Sequence, residues 1–295
     1  MHEKTNVIRI GGMAIALLAL SAGVLQARIQ ADPRAPHEPR TAAAEPATGS
    51  QPRLELAGDL IGARVVDHQN KWLGTIQEIV LTPNRDAVDY AVLSYGGFWG
   101  VLEKRFAVPW NQLQLRPQEP VFVLNVDRKD FDQAQGLGRD FLPATAHEDW
   151  LGIEPGVGAA AQAAPDLEHR RLSRLVGVTV RNGQGETLGQ LEDFVIDADP
   201  GAMAYAILWI PRDLPDLLER DLAAVPWTAL EIRPDVGTAR LDADRQTLEA
   251  VAFHARNFPD LADAQYSRQL HARFDVTPYG QALGFLPAEP QPQTP

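Results

Sequence analysis

The sequence predicts an all-β protein with minor α content: two small β-barrels in tandem, each followed by a short helical segment. Three observations carry this expectation. The first is a duplication. Leu60-Ile61-Gly62, Leu73-Gly74-Thr75-Ile76 and Tyr90-Ala91-Val92-Leu93 return as Leu175-Val176-Gly177, Leu188-Gly189-Gln190-Leu191 and Tyr205-Ala206-Ile207-Leu208, each 115 residues later with no gap. Phe106-Ala107-Val108-Pro109-Trp110 returns as Ala223-Ala224-Val225-Pro226-Trp227, now 117 residues on. The second is the density of short strand signals, five or six in about 75 residues, which is the pattern of a small closed or nearly closed barrel. The third is size: 295 residues with 45% hydrophobic content suit two ordinary domains, each with its own core.

The elements follow in order. Arg64-Val65-Val66 is a short strand, and Asp67-His68-Gln69-Asn70 a turn cluster matched by Asn182-Gly183-Gln184-Gly185. The next strand runs from Leu73-Gly74 to Leu81, where Thr82-Pro83-Asn84 turns the chain. Its apolar residues Ile76 and Ile79 fall on opposite faces if alternation is strict. Leu191, Phe194 and Ile196 show the same break. A β-bulge between 76 and 79, and another between 191 and 194, brings all three apolar side chains of each strand inward and leaves Glu78 and Asp193 wet.

Val88 to Tyr95 and Met203 to Ile210 are nearly continuous apolar runs, as in strands buried on both faces or closing a barrel. Phe106-Ala107-Val108 and Ala223-Ala224-Val225 form the fourth strands. Pro109 and Pro226 cannot donate to a ladder and mark strand ends or edges. Trp110 and Trp227, directly after them, read as core plugs. Leu113-Gln114-Leu115 and Val121 to Leu124 complete the first set, with Leu230-Glu231-Ile232 and Thr238 to Leu241 as counterparts. Helical segments follow at Arg128 to Gln135 and Asp244 to Ala255.

Outside the repeats, the chain divides by composition. Residues 1–27 carry Lys4 and Arg9 before an apolar run, Ile10 to Leu25, with small residues at Ser21-Ala22-Gly23 and Leu25-Gln26-Ala27. This is the pattern of a secretory signal peptide, giving a periplasmic or secreted protein. The alternative is an uncut anchor in the inner membrane, because Val7 to Leu25 approaches spanning length. Residues 28–53 are rich in Pro, Ala, Arg and Glu and predict a disordered linker. Barrel 1 is expected at 54–151, a linker at 152–166, barrel 2 at 167–286 and a Pro/Gln-rich disordered tail at 287–295.

At these residues the chain resembles a known family. Leu-x-Gly, Leu-Gly-x-Ile, the run Tyr90 to Phe98 and Phe106 to Trp110 are together similar to the PRC-barrel. That module occurs in the H subunit of photosynthetic reaction centres and at the C-terminus of a ribosome maturation factor. The first repeat resembles it over about 57–143 and the second over about 172–260. The second keeps Leu175, Gly177, Leu188, Gly189, Tyr205 and Val225-Pro226-Trp227 but departs at Pro211 to Asp221. The resemblance implies a β-barrel that binds other macromolecules. The family carries no general catalytic residues, so none transfer.

Charge and composition narrow the function. A net charge of −12 lacks the basic footprint of a nucleic-acid binder. The absence of cysteine removes disulfides, thiolate metal sites and cysteine nucleophiles. His68, His147, His169, His254 and His271 show no ligand spacing. Asp197-Ala198-Asp199 before Pro200-Gly201 suits turn chemistry better than calcium. No Gly-x-Ser-x-Gly occurs, and Gly96-Gly97-Phe98-Trp99-Gly100 lacks the lysine and helix of a phosphate loop. No catalytic, cofactor-binding or metal-binding residue is therefore expected, and no cofactor.

The candidate partner contacts are apolar residues in connecting loops: Phe98, Trp99, Val101 and Leu102 in the first repeat, and Leu214, Leu217 and Leu218 in the second. The sequence thus points to a non-catalytic, exported protein-binding adaptor of the cell envelope, its partner unnamed. The two barrels are expected to pack through equivalent surfaces like a fused symmetric dimer. Two other classes stay open: a membrane-anchored scaffold resembling the reaction-centre H subunit, and a small-ligand carrier or hydrolase with a site between the barrels.

Overall fold

Repeat 1 opens with strand β1 (Leu54–Leu56) and helix α1 (Ala57–Leu60), then β2 (Arg64–Asp67), β3 (Trp72–Leu81), β4 (Val88–Tyr95), β5 (Lys104–Pro109), β6 (Leu113–Leu115), β7 (Val121–Leu124) and helix α2 (Arg128–Gln133). Repeat 2 follows with α3 (Leu172–Leu175), β8 (Thr179–Arg181), β9 (Thr187–Asp197), β10 (Ala202–Ile210), β11 (Asp221–Pro226), β12 (Leu230–Arg233), β13 (Thr238–Leu241), α4 (Arg245–Glu249), β14 (Ala252–His254) and α5 (Ala264–Arg273). The computed structural model describes residues 52–96, 103–138, 141–152, 166–211 and 221–279. All of them lie in the unit Ala47–Pro295.

The fold is mainly β, with five short α-helices among the described residues. Repeat 1 forms a half-barrel in the order β5-β4-β3-β2-β7-β6. Repeat 2 repeats that order as β11-β10-β9-β8-β13-β12, with β14 added beside β11 and β1 beside β9. Pairs are antiparallel except β2 with β7 and β8 with β13, which are parallel in both repeats.

The expected bulges are present. In β3 the register shifts between Ile76 and Glu78, leaving Gln77 unpaired against β4. In β9 it shifts between Leu191 and Asp193, at Glu192. The extra residue resets the alternation, so Ile76, Ile79 and Leu81 all enter the main core. Gly74 and Gly189 sit against the backbone of the neighbouring strand. A Cβ on Gly74 would lie 1.7 Å from the Ser94 carbonyl oxygen, and on Gly189 2.3 Å from that of Trp209. Any side chain there collides with backbone, which explains the Leu-Gly pair in both copies. β5 and β11 end on Pro109 and Pro226, the last residues of their ladders.

Helix α2 supplies a plug to repeat 1. Phe131, fully buried, stacks on Tyr95 at 4.7 Å and meets Phe106 edge-on at 4.9 Å. In repeat 2, α4 buries Leu248, and Asp244 caps it by accepting from the Thr247 N–H at 2.7 Å. The main core runs without a break through both repeats. A second, smaller cluster lies on the other face of β3 and β4, around Val80, Tyr90, Val92 and Ala107, beneath Leu137 and Leu167.

Three expectations are corrected. Glu78 is buried at 5% exposure and Asp193 is half-buried, so neither is wet. The helical segment expected to run to Ala255 stops at Glu249, and Ala252–His254 is a strand paired with β11. Helix α5, capped by Asp263 accepting from the Tyr266 N–H, is an element not expected from the sequence.

Candidate functional site

The expected contact residues Phe98, Trp99, Val101, Leu102, Leu214, Leu217 and Leu218 lie outside the described residues. So do the N-terminal segment 1–27 and the tail 287–295. Among the described residues no helix is long and apolar enough to cross a membrane. What the structure does bring together is a seam between the two repeats and a polar cluster beside it.

The seam is made of bonds that recur with the 115-residue offset of the sequence. At its centre Ala87 bridges Ala202, its own counterpart. The Val88 N–H donates to the Gly201 carbonyl at 2.8 Å, and the Met203 N–H to the Asp86 carbonyl at 2.9 Å. The lead of each repeat crosses to the other. β1 pairs with β9, setting Leu56 opposite Val195, and Arg171 bridges Val80 on β3. Asp193 accepts from the Gly58 N–H at 3.0 Å, and Glu78 from the Ser173 N–H at 3.2 Å. Glu78 also accepts from the Ser173 hydroxyl and from Arg171 Nε at 3.1 Å. A carboxylate at each bulge therefore receives the exposed N–H groups of the short helix that crosses over it. Burial pushes the Asp193 carboxyl above its usual range, partly offset by the Phe194 and Gly58 N–H groups.

Trp110 and Trp227 are the plugs the sequence predicts, at 3% and 7% exposure, and they are also links. Trp110 Nε1 donates to the Ala198 carbonyl at 3.0 Å, and Trp227 Nε1 to the Arg85 carbonyl at 2.6 Å, each in the opposite repeat. Gly201 lies flat on the Trp110 ring, where a Cβ would come within 2.5 Å of Cδ1. The signal that could have found this linkage was present: two buried indoles each need an acceptor, and their own strands end at proline just before them.

The polar cluster sits where β9 meets α5. Asp197, 1% exposed, accepts from the Arg53 N–H at 3.1 Å and from the Tyr279 hydroxyl at 2.9 Å. Burial holds its carboxyl above the usual range. The Tyr279 N–H donates to His271 Nε2 at 3.0 Å, and His271 Nδ1 donates to the Ser267 carbonyl at 2.7 Å. These two bonds fix a neutral imidazole, and burial lowers its pKa. Ser267 Oγ shares a 2.9 Å hydrogen bond with the Tyr205 hydroxyl, whose pKa burial pushes up to about 12.

Serine, histidine and aspartate thus meet in space, but not as a nucleophilic relay. His271 Nδ1 spends its proton on backbone, its Nε2 is taken by Tyr279, and Asp197 bonds tyrosine rather than the imidazole. The cluster ties α5 to the barrel. Asp197 thus has both carboxylate oxygens engaged, one by backbone and one by tyrosine. Among the described residues no group of three or more His, Asp or Glu is placed to hold a metal. His254, beside Asp221 at 2.9 Å, closes the edge of β11 and β14.

No curated protein matches the chain. The family model for the PRC-barrel domain matches twice, at residues 53–130 and 168–248, together more than half of the sequence. The two matches start with the offset that separates the paired bonds of the seam, and each spans one half-barrel with its crossing lead. The chain belongs to the PRC-barrel domain family and carries two copies of that domain in tandem.

Proposed function

We propose that the protein is a non-catalytic, exported adaptor that binds another protein in the cell envelope, its two barrels acting as one rigid platform. The observation that carries this reading is the main core running through both repeats. Inward-facing side chains such as Val65, Ile79, Leu93 and Val108 are essentially inaccessible, so the interiors are consumed by packing and function falls to the outer surface. The seam supports reading the pair as a fused counterpart of a two-fold dimer, since its backbone and helix-to-carboxylate bonds join equivalent positions in both directions. The apolar run Ile10 to Leu25 behind Lys4 and Arg9 supports export.

Photo-crosslinking in cells from Phe98 and Trp99 tests the adaptor role. A discrete crosslinked protein, lost when the probe is moved to the exposed Glu119, is the expected result. Labelling no stronger than from Glu119 refutes it. The membrane-anchored alternative rests on the length of Val7 to Leu25. N-terminal sequencing of the mature protein decides between them: a start near Ala27 supports export, and an intact Met1 supports the anchor.

A further inference from the structure

Helix α5 and the strand β14 belong to repeat 2 and line a cleft of about 330 Å³. That volume lies at the small end of ligand pockets. Its apolar lining includes Val251, Phe253 and Leu270; its polar lining is Tyr266, Gln269 and Arg273. The four helical residues are spaced 266, 269, 270 and 273, so they share one face of α5. Leu270 is buried at the middle of that face. Tyr266 and Arg273 stand at its two ends, roughly 10 Å apart along the axis. Gln269 lies one turn from Arg273 and projects on the same side.

Gln269 and Arg273 are exposed and Tyr266 is half-buried, so all three open onto the cleft. Among the described residues the Tyr266 hydroxyl, the Gln269 amide and the Arg273 guanidinium make no hydrogen bond or ion pair. Partial burial raises the Tyr266 pKa, which keeps its hydroxyl a neutral donor. Three other positions of this segment are engaged elsewhere: Asp263 caps the helix, and Ser267 and His271 belong to the cluster that holds Tyr279.

We propose that this cleft binds a small amphiphilic carboxylate. Its carboxylate sits on Arg273 with Gln269 beside it, its apolar body covers Leu270, Val251 and Phe253, and a polar group at the far end meets the Tyr266 hydroxyl. A guanidinium matches a carboxylate through two parallel hydrogen bonds. One arginine compensates one negative charge, and a chain of net charge −12 repels a polyanion such as a nucleotide. The inference stands apart from the adaptor reading, because a failed crosslink from Phe98 leaves it untouched.

Calorimetric titration of the full chain with octanoate, with octanol and with a hexapeptide ending in a free leucine carboxylate tests it. Octanoate binds saturably at one site, and octanol at least about tenfold more weakly, because only the carboxylate uses Arg273. Arg273→Gln weakens octanoate by about tenfold and leaves octanol unchanged. Ala252→Leu, which fills the cleft, abolishes both while the thermal midpoint holds. Absence of saturable octanoate binding, equal binding of octanol, or an Arg273→Gln protein that binds octanoate as before overturns the proposal. A hexapeptide binding far more tightly than octanoate overturns it in favour of a protein terminus. Arg273 is exposed, so its variant folds and keeps the test decisive should Ala252→Leu fail to fold.

Discussion

Trp110→Phe and Trp227→Phe test whether the two barrels are one cooperative unit. Each substitution keeps an aromatic ring but deletes the indole N–H that reaches the opposite repeat, leaving the Ala198 or Arg85 carbonyl without that donor. Orphaning a buried acceptor costs about 1–3 kcal/mol. The smaller ring also opens space against Phe122 or Phe194, its edge-on partners at 5.5 and 5.9 Å, adding roughly 1 kcal/mol. Each variant should therefore lose about 2–4 kcal/mol. The assay is urea unfolding followed by far-ultraviolet circular dichroism, which reports on both repeats whichever tryptophan is removed. With one core and a reciprocal seam, the wild type unfolds in a single transition. Both variants then move its midpoint by similar amounts at unchanged slope. Two separate transitions, with each variant shifting only one, would refute the shared core. Losses below about 0.5 kcal/mol would refute the role given to the indoles.

Four further outcomes follow from the same geometry. Gly74→Ala and Gly189→Ala each press a methyl group into a backbone carbonyl and should cost more than about 3 kcal/mol, Gly74→Ala the more severe, read from soluble yield and urea midpoint. An engineered protease site within residues 153–165, once cut, should leave both halves co-eluting in size exclusion until they are unfolded; separation in native buffer would count against the seam. The Asp197 carboxyl is held above its ordinary 3.8, so the native state takes up a proton more readily than the unfolded chain. Stability from this group therefore falls as pH rises from that ordinary value through the raised one, and Asp197→Asn should flatten the slope and raise the midpoint at neutral pH. His271 has the opposite sign: its pKa is depressed below 6.5, so its contribution is complete above that value and is lost as pH falls through the folded one, a loss that His271→Gln should remove.

Most of the fold was legible because its signals are local. The misfit of Ile76 and Ile79 with strict alternation announced a bulge within one strand, and the register shift at Gln77 is that bulge. Val88 to Tyr95 reads as a doubly buried strand and is one, with Leu93 facing the main core and Val92 the smaller cluster. Glu78 and Asp193 were misread because alternation describes only a residue's own strand. What covers Glu78 is Ser173, 95 residues away, and what covers Asp193 is Gly58, 135 residues away. Strand β14 was missed for a related reason. It follows the Ala250 end of α4 with no Gly or Pro between, so the chain turns without its usual markers. The cleft on α5 was invisible too, since Tyr266, Gln269 and Arg273 are ordinary surface residues until β14 is placed beneath them.

The two repeats agree at the seam and diverge in what covers their equivalent tyrosines. At the seam, roles survive a change of residue: Glu78 does for Ser173 what Asp193 does for Gly58, and the indoles and the bridge at Ala87 and Ala202 rely on backbone acceptors. A joint built on carbonyls and N–H groups constrains shape more than sequence, so the two copies can drift while staying locked. On the outer flank the equivalent tyrosines hold different segments. The Tyr90 hydroxyl donates to the Pro143 carbonyl at 2.7 Å, whereas the Tyr205 hydroxyl meets Ser267 on α5. One anchoring position thus receives two different coverings, and only the second brings a helix whose outer face carries an arginine, a glutamine and a tyrosine without partners among the described residues. The seam is thus common to both copies, whereas the covering of the anchoring tyrosine is particular to each.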